Sequence, residues 1–124
     1  MADSELTVKK IVIIGDGACG KTCLMLVYEK GEFPTRYIPT IFENTTKKVQ
    51  YNGKDVELRL WDTAGQEDYE RLRPLAYRDT DVVLMAFSIV NRDSFDNIQT
   101  AWYPEYQQYL KNAKVGNLHN ICTR

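Results

Sequence analysis

The apolar run Ile11-Val12-Ile13-Ile14 passes directly into Gly15-Asp16-Gly17-Ala18-Cys19-Gly20-Lys21-Thr22. Few junctions restrict a fold so strongly. Consecutive β-branched residues suit a strand buried on both faces, as in a parallel sheet. The next eight residues match G-x-x-x-x-G-K-[ST], and Lys21 to Tyr28 reads as a helix with Cys23, Leu24, Leu26 and Val27 available for packing. A strand, a glycine loop and a helix in that order are the setting the pattern needs. The glycines allow backbone N–H groups to approach phosphate oxygens with no Cβ in the way. The helix start adds unpaired donors and partial positive charge. Lys21 can bridge β- and γ-phosphates, and the Thr22 hydroxyl suits magnesium, a hard cation that takes oxygen ligands. A glycine turn with a threonine cap is the plainer alternative, and the strand–loop–helix context argues against it.

The remaining chain continues in the same style. Strand residues are expected from Leu6 to Ile14, and a proline-punctuated loop is expected from Phe33-Pro34 to Pro39-Thr40. Thr45 to Tyr51 and Asp55 to Trp61 read as strands joined at Asn52-Gly53, a favoured hairpin turn. Val56, Leu58 and Leu60 alternate with Asp55, Glu57, Arg59 and Trp61. Val82 to Phe87 supplies another buried strand, and Asp93 or Ser94 is placed to cap a helix running towards Trp102. Pro104 either kinks that helix or opens a second piece. From Tyr106 onward the pattern fades. The order predicts an α/β fold, mostly parallel, with one antiparallel edge hairpin.

A second constellation, Asp62-Thr63-Ala64-Gly65-Gln66, follows an apolar strand. An aspartate there can hold magnesium through water, Gly65 can offer its N–H to a γ-phosphate, and Gln66 can orient an attacking water. Each residue alone could be ordinary polar loop. All three in order, downstream of a phosphate loop, support one another.

On these motifs the chain resembles a small GTPase of the Ras superfamily, within it the Rho family. Tyr37 to Asn44 (YIPTIFEN) is similar to the Rho-type first switch, and Asp62 to Tyr69 (DTAGQEDY) with Arg71 to Leu75 is similar to the second. Asp79 to Ile89 and Trp102-Tyr103-Pro104-Glu105 carry the likeness to about residue 110. The resemblance implies a phosphate-loop nucleoside-triphosphatase fold with helices on both faces, lacking its last strands and helices. It implies GTP or GDP with Mg²⁺ as ligands. Gly15, Asp16, Gly17, Ala18, Cys19, Gly20, Lys21, Thr22, Cys23, Phe33, Tyr37, Thr40, Asp62 and Gly65 would form the nucleotide site. Thr22, Thr40 and, through water, Asp62 would serve magnesium, with Gln66 catalytic. Thr40 would order the first switch when a γ-phosphate is present, Phe33 would pack on guanine, and Tyr37 would lie over the phosphates. Exchange factors, GTPase-activating proteins, dissociation inhibitors and effectors would meet Thr40 to Asn44, Trp61 and Asp62 to Tyr77. Phe42, Tyr69, Leu72 and Leu75 add apolar groups to that surface. Arg71 and Arg73 would face partners rather than act as internal arginine fingers.

The likeness stops near Lys114, which suggests a division into residues 1–114, most of a GTPase domain, and a divergent tail at 115–124. Val115-Gly116-Asn117 echoes the start of an Asn-Lys-x-Asp guanine motif, but Leu118 and Asn120 replace its lysine and aspartate. An asparagine offers a donor where guanine needs two acceptors. The expected outcome is a truncated form in which Val82 to Phe87 becomes a sheet edge, with weakened folding and base binding. Cys122 has only two residues after it, so C-a-a-X prenylation, present in full-length relatives, is not expected. A non-catalytic decoy that keeps the switch surfaces is the alternative function. A generic phosphate-loop ATPase or kinase is disfavoured by Thr40 and the Asp62 to Gln66 arrangement.

Bulk properties exclude other classes. Sixteen basic and 17 acidic residues among 124 leave a net charge of -1, too little to attract nucleic acid or anionic lipid. The polar start Met1-Ala2-Asp3-Ser4-Glu5 is wrong for a signal peptide, and three cysteines suit free thiols in the cytosol. A redox influence of Cys19 and Cys23 on the loop is weaker than their packing role.

Overall fold

The computed structural model describes residues 7–17, 21–31, 42–63 and 72–120. Five strands form one sheet in the order β2-β3-β1-β4-β5. They are β1 (Thr7–Gly15), β2 (Phe42–Tyr51), β3 (Lys54–Thr63), β4 (Val82–Ser88) and β5 (Lys114–Asn120). β1 pairs in parallel with β3 and β4, and β4 with β5; only β2 runs antiparallel, against β3. The helices are α1 (Lys21–Lys30), α2 (Arg92–Asn97) and α3 (Tyr103–Tyr109), with a π turn at Ile98–Trp102 joining the last two. A 3₁₀ turn covers Arg73–Ala76.

Alternation along the strands divides the core. Val12, Ile14, Val83 and Met85 pack on one face with Ala76, Tyr77, Trp102, Leu110 and Ala113. Ile13, Leu60 and Ala86 pack on the other with Met25 of α1. Val12, Ile13 and Ile14 are all buried, which is why that run needs no polar interruption. The hairpin turns at Asn52 and Gly53 with φ of 51° and 76°, the left-handed pair that a two-residue turn requires. The strands it joins are longer than expected, because the ladder extends from Tyr51↔Lys54 to Phe42↔Thr63.

Two expectations are corrected. β4 is not a sheet edge: β5 lies beside it in parallel, from Val82↔Lys114 to Ser88↔Asn120. Asp81 anchors this arrangement. Its carboxylate accepts the Lys10 N–H at 2.9 Å, its N–H donates to the Lys10 carbonyl, and its own carbonyl accepts the Lys114 N–H at 3.0 Å. Backbone pairing at that anchor, rather than an apolar pattern, makes Lys114–Asn120 a strand.

The helix after β4 is capped by neither Asp93 nor Ser94. Asn91 is the cap, its side chain accepting the N–H groups of Asp93 and Ser94. Ser94 is buried instead, accepting the Ser88 N–H at 2.9 Å and donating to the Asn91 carbonyl at 2.7 Å. Pro104 opens α3 at its first turn. Among the described residues no helix is long and apolar enough to cross a membrane.

Candidate phosphate site

The carboxyl ends of the parallel strands share one rim, where α/β folds of this kind place ligands. Gly15 stands there, in register with Ala86 of β4, while Ile13 is in register with Asp62 at the end of β3. Gly15 has φ 153°, a conformation that a side chain would oppose, so a glycine is needed where β1 releases the loop. The Thr63 hydroxyl donates to the Ile13 carbonyl at 2.8 Å and locks β3 against β1 beside it.

Lys21 begins α1 and is only 5% exposed. Its ammonium donates to the Asp16 carbonyl at 3.0 Å. One carbonyl engages one of three N–H donors, leaving the others for a further acceptor at the helix start. Asp62 is fully buried at the end of β3. A buried ammonium, a helix N-terminus, a glycine-only backbone conformation and a buried carboxylate at one rim fit a phosphate accompanied by a hard divalent cation.

The structure thus brings Gly15, Asp16, Gly17 and Lys21 into one loop-and-helix start and sets Asp62 on the neighbouring strand. Thr22 and Cys23 fall in the first turn of α1. Ala18, Cys19, Gly20, Phe33, Tyr37, Thr40, Gly65, Gln66 and Tyr69 lie outside the described residues. Of the surface expected to meet partners, Phe42, Glu43 and Asn44 open β2, and Trp61 is half-buried with the Lys10 ammonium 4.7 Å from its ring centre. Leu72 is exposed, and Leu75 is 72% exposed.

Arg73 departs from expectation. It does not face outward: it is 5% exposed and turned towards α3. Its guanidinium donates to both Glu105 oxygens, at 2.8 and 3.1 Å, and lies 4.6 Å from the Trp102 ring centre. The Tyr77 hydroxyl also donates to Glu105. Burial, reinforced by the charge and hydrogen bond of Glu105, drives the Tyr77 phenol far above its ordinary value.

That shift gives an alkaline signature. The native state keeps the Tyr77 proton, whereas the unfolded chain releases it near pH 10, so stability declines as pH rises beyond that point. The expected contribution is about 1.4 kcal/mol per pH unit. Urea unfolding of wild type and Tyr77→Phe between pH 9 and 11, values bracketing an ordinary tyrosine pKa of about 10, should show a steeper loss in wild type. Parallel profiles would remove Tyr77 as the source.

Two residues at this site are given no role there by the sequence. Asn97 and Trp102, from the helical stretch after β4, both donate to the Asp16 carboxylate. The only advance signal was the Trp102 indole N–H itself, since a buried indole needs an acceptor.

The geometry defines a phosphate-loop protein: a mostly parallel α/β sheet with a lysine-bearing glycine loop between its central strand and α1. A family model described as the Ras family matches residues 10–121, and the chain belongs to that family. It is 57% identical over 107 residues to the Rho-related GTP-binding protein RhoB of Homo sapiens, and equally to RhoB of Mus musculus and of Rattus norvegicus. Each alignment covers 86% of this chain and 55% of the relative, so the chain spans about half the length of the curated relatives it matches.

Proposed function

We propose that this chain carries the phosphate-sensing part of a Rho-type switch that binds GTP and GDP with magnesium and hydrolyses GTP. The observation that supports this most directly is the buried Lys21 ammonium at the start of α1, held on the Asp16 carbonyl. Fixed there, it meets phosphate oxygens with little reorganisation, and the loop N–H groups add neutral donors around it. Magnesium, when bound, supplies positive charge against the phosphate oxygens. Thr22 and Thr40 are assigned as its protein ligands, with Asp62 acting through water. Gln66 positions the water that attacks the γ-phosphate, and Gly65 offers its N–H to the same group. Phe33 is assigned to the base and Tyr37 to the phosphates.

Arg73 is engaged by Glu105, which supports an arginine finger supplied by a partner. Exposed Leu72 and Leu75, with Trp61 and the start of β2, are the surface assigned to activating proteins, exchange factors, dissociation inhibitors and effectors.

Nucleotide released on denaturing the purified chain should approach one guanine nucleotide per chain, whereas a decoy would release almost none. Gln66→Leu should leave that ratio unchanged and slow hydrolysis by about tenfold or more, the effect of losing about 1.4 kcal/mol of transition-state positioning. Unchanged turnover would remove Gln66 from its role.

A further inference from the structure

Asp16 puts a carboxylate inside a loop whose ligand is a polyanion, and like charges in a partly buried site repel. The structure shows how that charge is managed. Asn97 Nδ2 donates to one Asp16 oxygen at 2.7 Å, and Trp102 Nε1 donates to the other at 2.8 Å. The Asp16 main-chain carbonyl, by contrast, accepts from Lys21. Main chain and side chain are therefore committed to different neighbours, the lysine on one and the helical stretch after β4 on the other.

The two donors are five residues apart. On a regular α-helix that spacing leaves side chains about 140° apart around the axis. Here the Tyr103 N–H donates to the Ile98 carbonyl, the i→i+5 pattern of a π turn, which brings residues five apart onto one side. Pro104 gives the turn a local cause. It has no N–H for the Thr100 carbonyl, and its ring would crowd that carbonyl in a regular helix. Trp102 is 3% exposed, and the Arg73 guanidinium lies over its ring, so the indole has little freedom to turn away from Asp16.

We propose that Asn97 and Trp102 are positioning residues of the phosphate loop, holding the Asp16 carboxylate against the π turn and out of the seat for nucleotide phosphates. This rests on the nucleotide reading given above. Releasing the carboxylate lets its charge oppose the ligand, by an amount that grows with ligand charge and falls with salt.

The test is the affinity of the whole 124-residue chain for guanosine mono-, di- and triphosphate at low and high salt. Trp102→Phe keeps a ring under Arg73 and removes one donor to a charged acceptor. It should weaken the triphosphate about tenfold, the monophosphate much less, and both less at high salt. Asn97→Ala should show the same graded pattern and serves if the Phe variant folds poorly. In an Asp16→Asn background, Trp102→Phe should lose this charge-graded effect. An equal loss for all three nucleotides, or one undiminished by Asp16→Asn, would overturn the positioning role alone. A wild-type chain that binds none of them would overturn the nucleotide reading, and this inference with it.

Discussion

Arg73→Ala is expected to lower the unfolding free energy by about 3–5 kcal/mol, the range for breaking a buried ion pair from one side. The pair is enclosed: 6% of the Arg73 side chain and 10% of the Glu105 side chain are exposed. Removing the guanidinium leaves Glu105 with the Tyr77 hydroxyl but without its counter-charge. It also takes the flat cation off the Trp102 ring, a contact that contributes about 0.5–2 kcal/mol in other proteins. Arg73→Lys should recover only part of the loss, because an ammonium cannot present two parallel donors to a carboxylate. The contrast lies on the surface. Arg92 and Asp96 pair at 3.1 Å with side chains 80% and 53% exposed, so Arg92→Ala should change stability by less than about 0.5 kcal/mol. Urea unfolding at neutral pH compares the three variants. An Arg73→Ala loss no greater than that of Arg92→Ala would mean that the cluster is not closed in solution.

Lys21→Ala is expected to weaken nucleotide binding by roughly 2–5 kcal/mol, about thirtyfold to several thousandfold. The effect arises in the bound state. The ammonium stays on the Asp16 carbonyl, so removing it takes away a prepaid positive charge and the anchor of the loop together. Loss of that one charge-assisted hydrogen bond should cost the nucleotide-free fold about 1.5–3 kcal/mol. Titration with GDP and GTP, together with melting of the nucleotide-free chain, separates the two quantities. A variant that melts far below wild type before any nucleotide is added would show Lys21 to be chiefly a structural residue.

The strand-and-helix setting of the phosphate loop and the hairpin turn were legible because their signals are local. Gly15 to Lys21 needs a strand before it and a helix after it, and both are present; Asn52-Gly53 announces its own turn. Most of the pieces that sequence reasoning misreads depend on contacts between distant segments; the helix cap is the local exception. β5 is written in weakly apolar residues, and its pairing starts from the Asp81 carbonyl, which no window around Lys114 contains. Sequence does not single out Asn91 as the cap, because Asp93 and Ser94 are equally good capping types. The choice was settled when Ser94 turned inward to Ser88. Arg73 looked like a surface residue of a switch until α3 brought Glu105 against it, from 32 positions away in the chain. Asn97 and Trp102 could not be assigned to Asp16 from spacing, since a regular helix would have parted them.

The topology also ranks its own contacts by the freedom the chain gives up. β2 and β3 meet across Asn52 and Gly53 alone, so their ladder, from Tyr51↔Lys54 outward, closes almost no loop. β1 must find β3 across α1 and the whole hairpin, with Ile11 opposite Leu60, and must find β4 from Ile11 to Val82. Closure entropy rises only logarithmically with such spans, yet it is due before the buried run at Val12 to Ile14 returns any stability. The hairpin is thus the one part of the sheet that can assemble from its own neighbourhood, whereas the rim that holds Gly15 and Asp62 exists only after the long-range pairings are made.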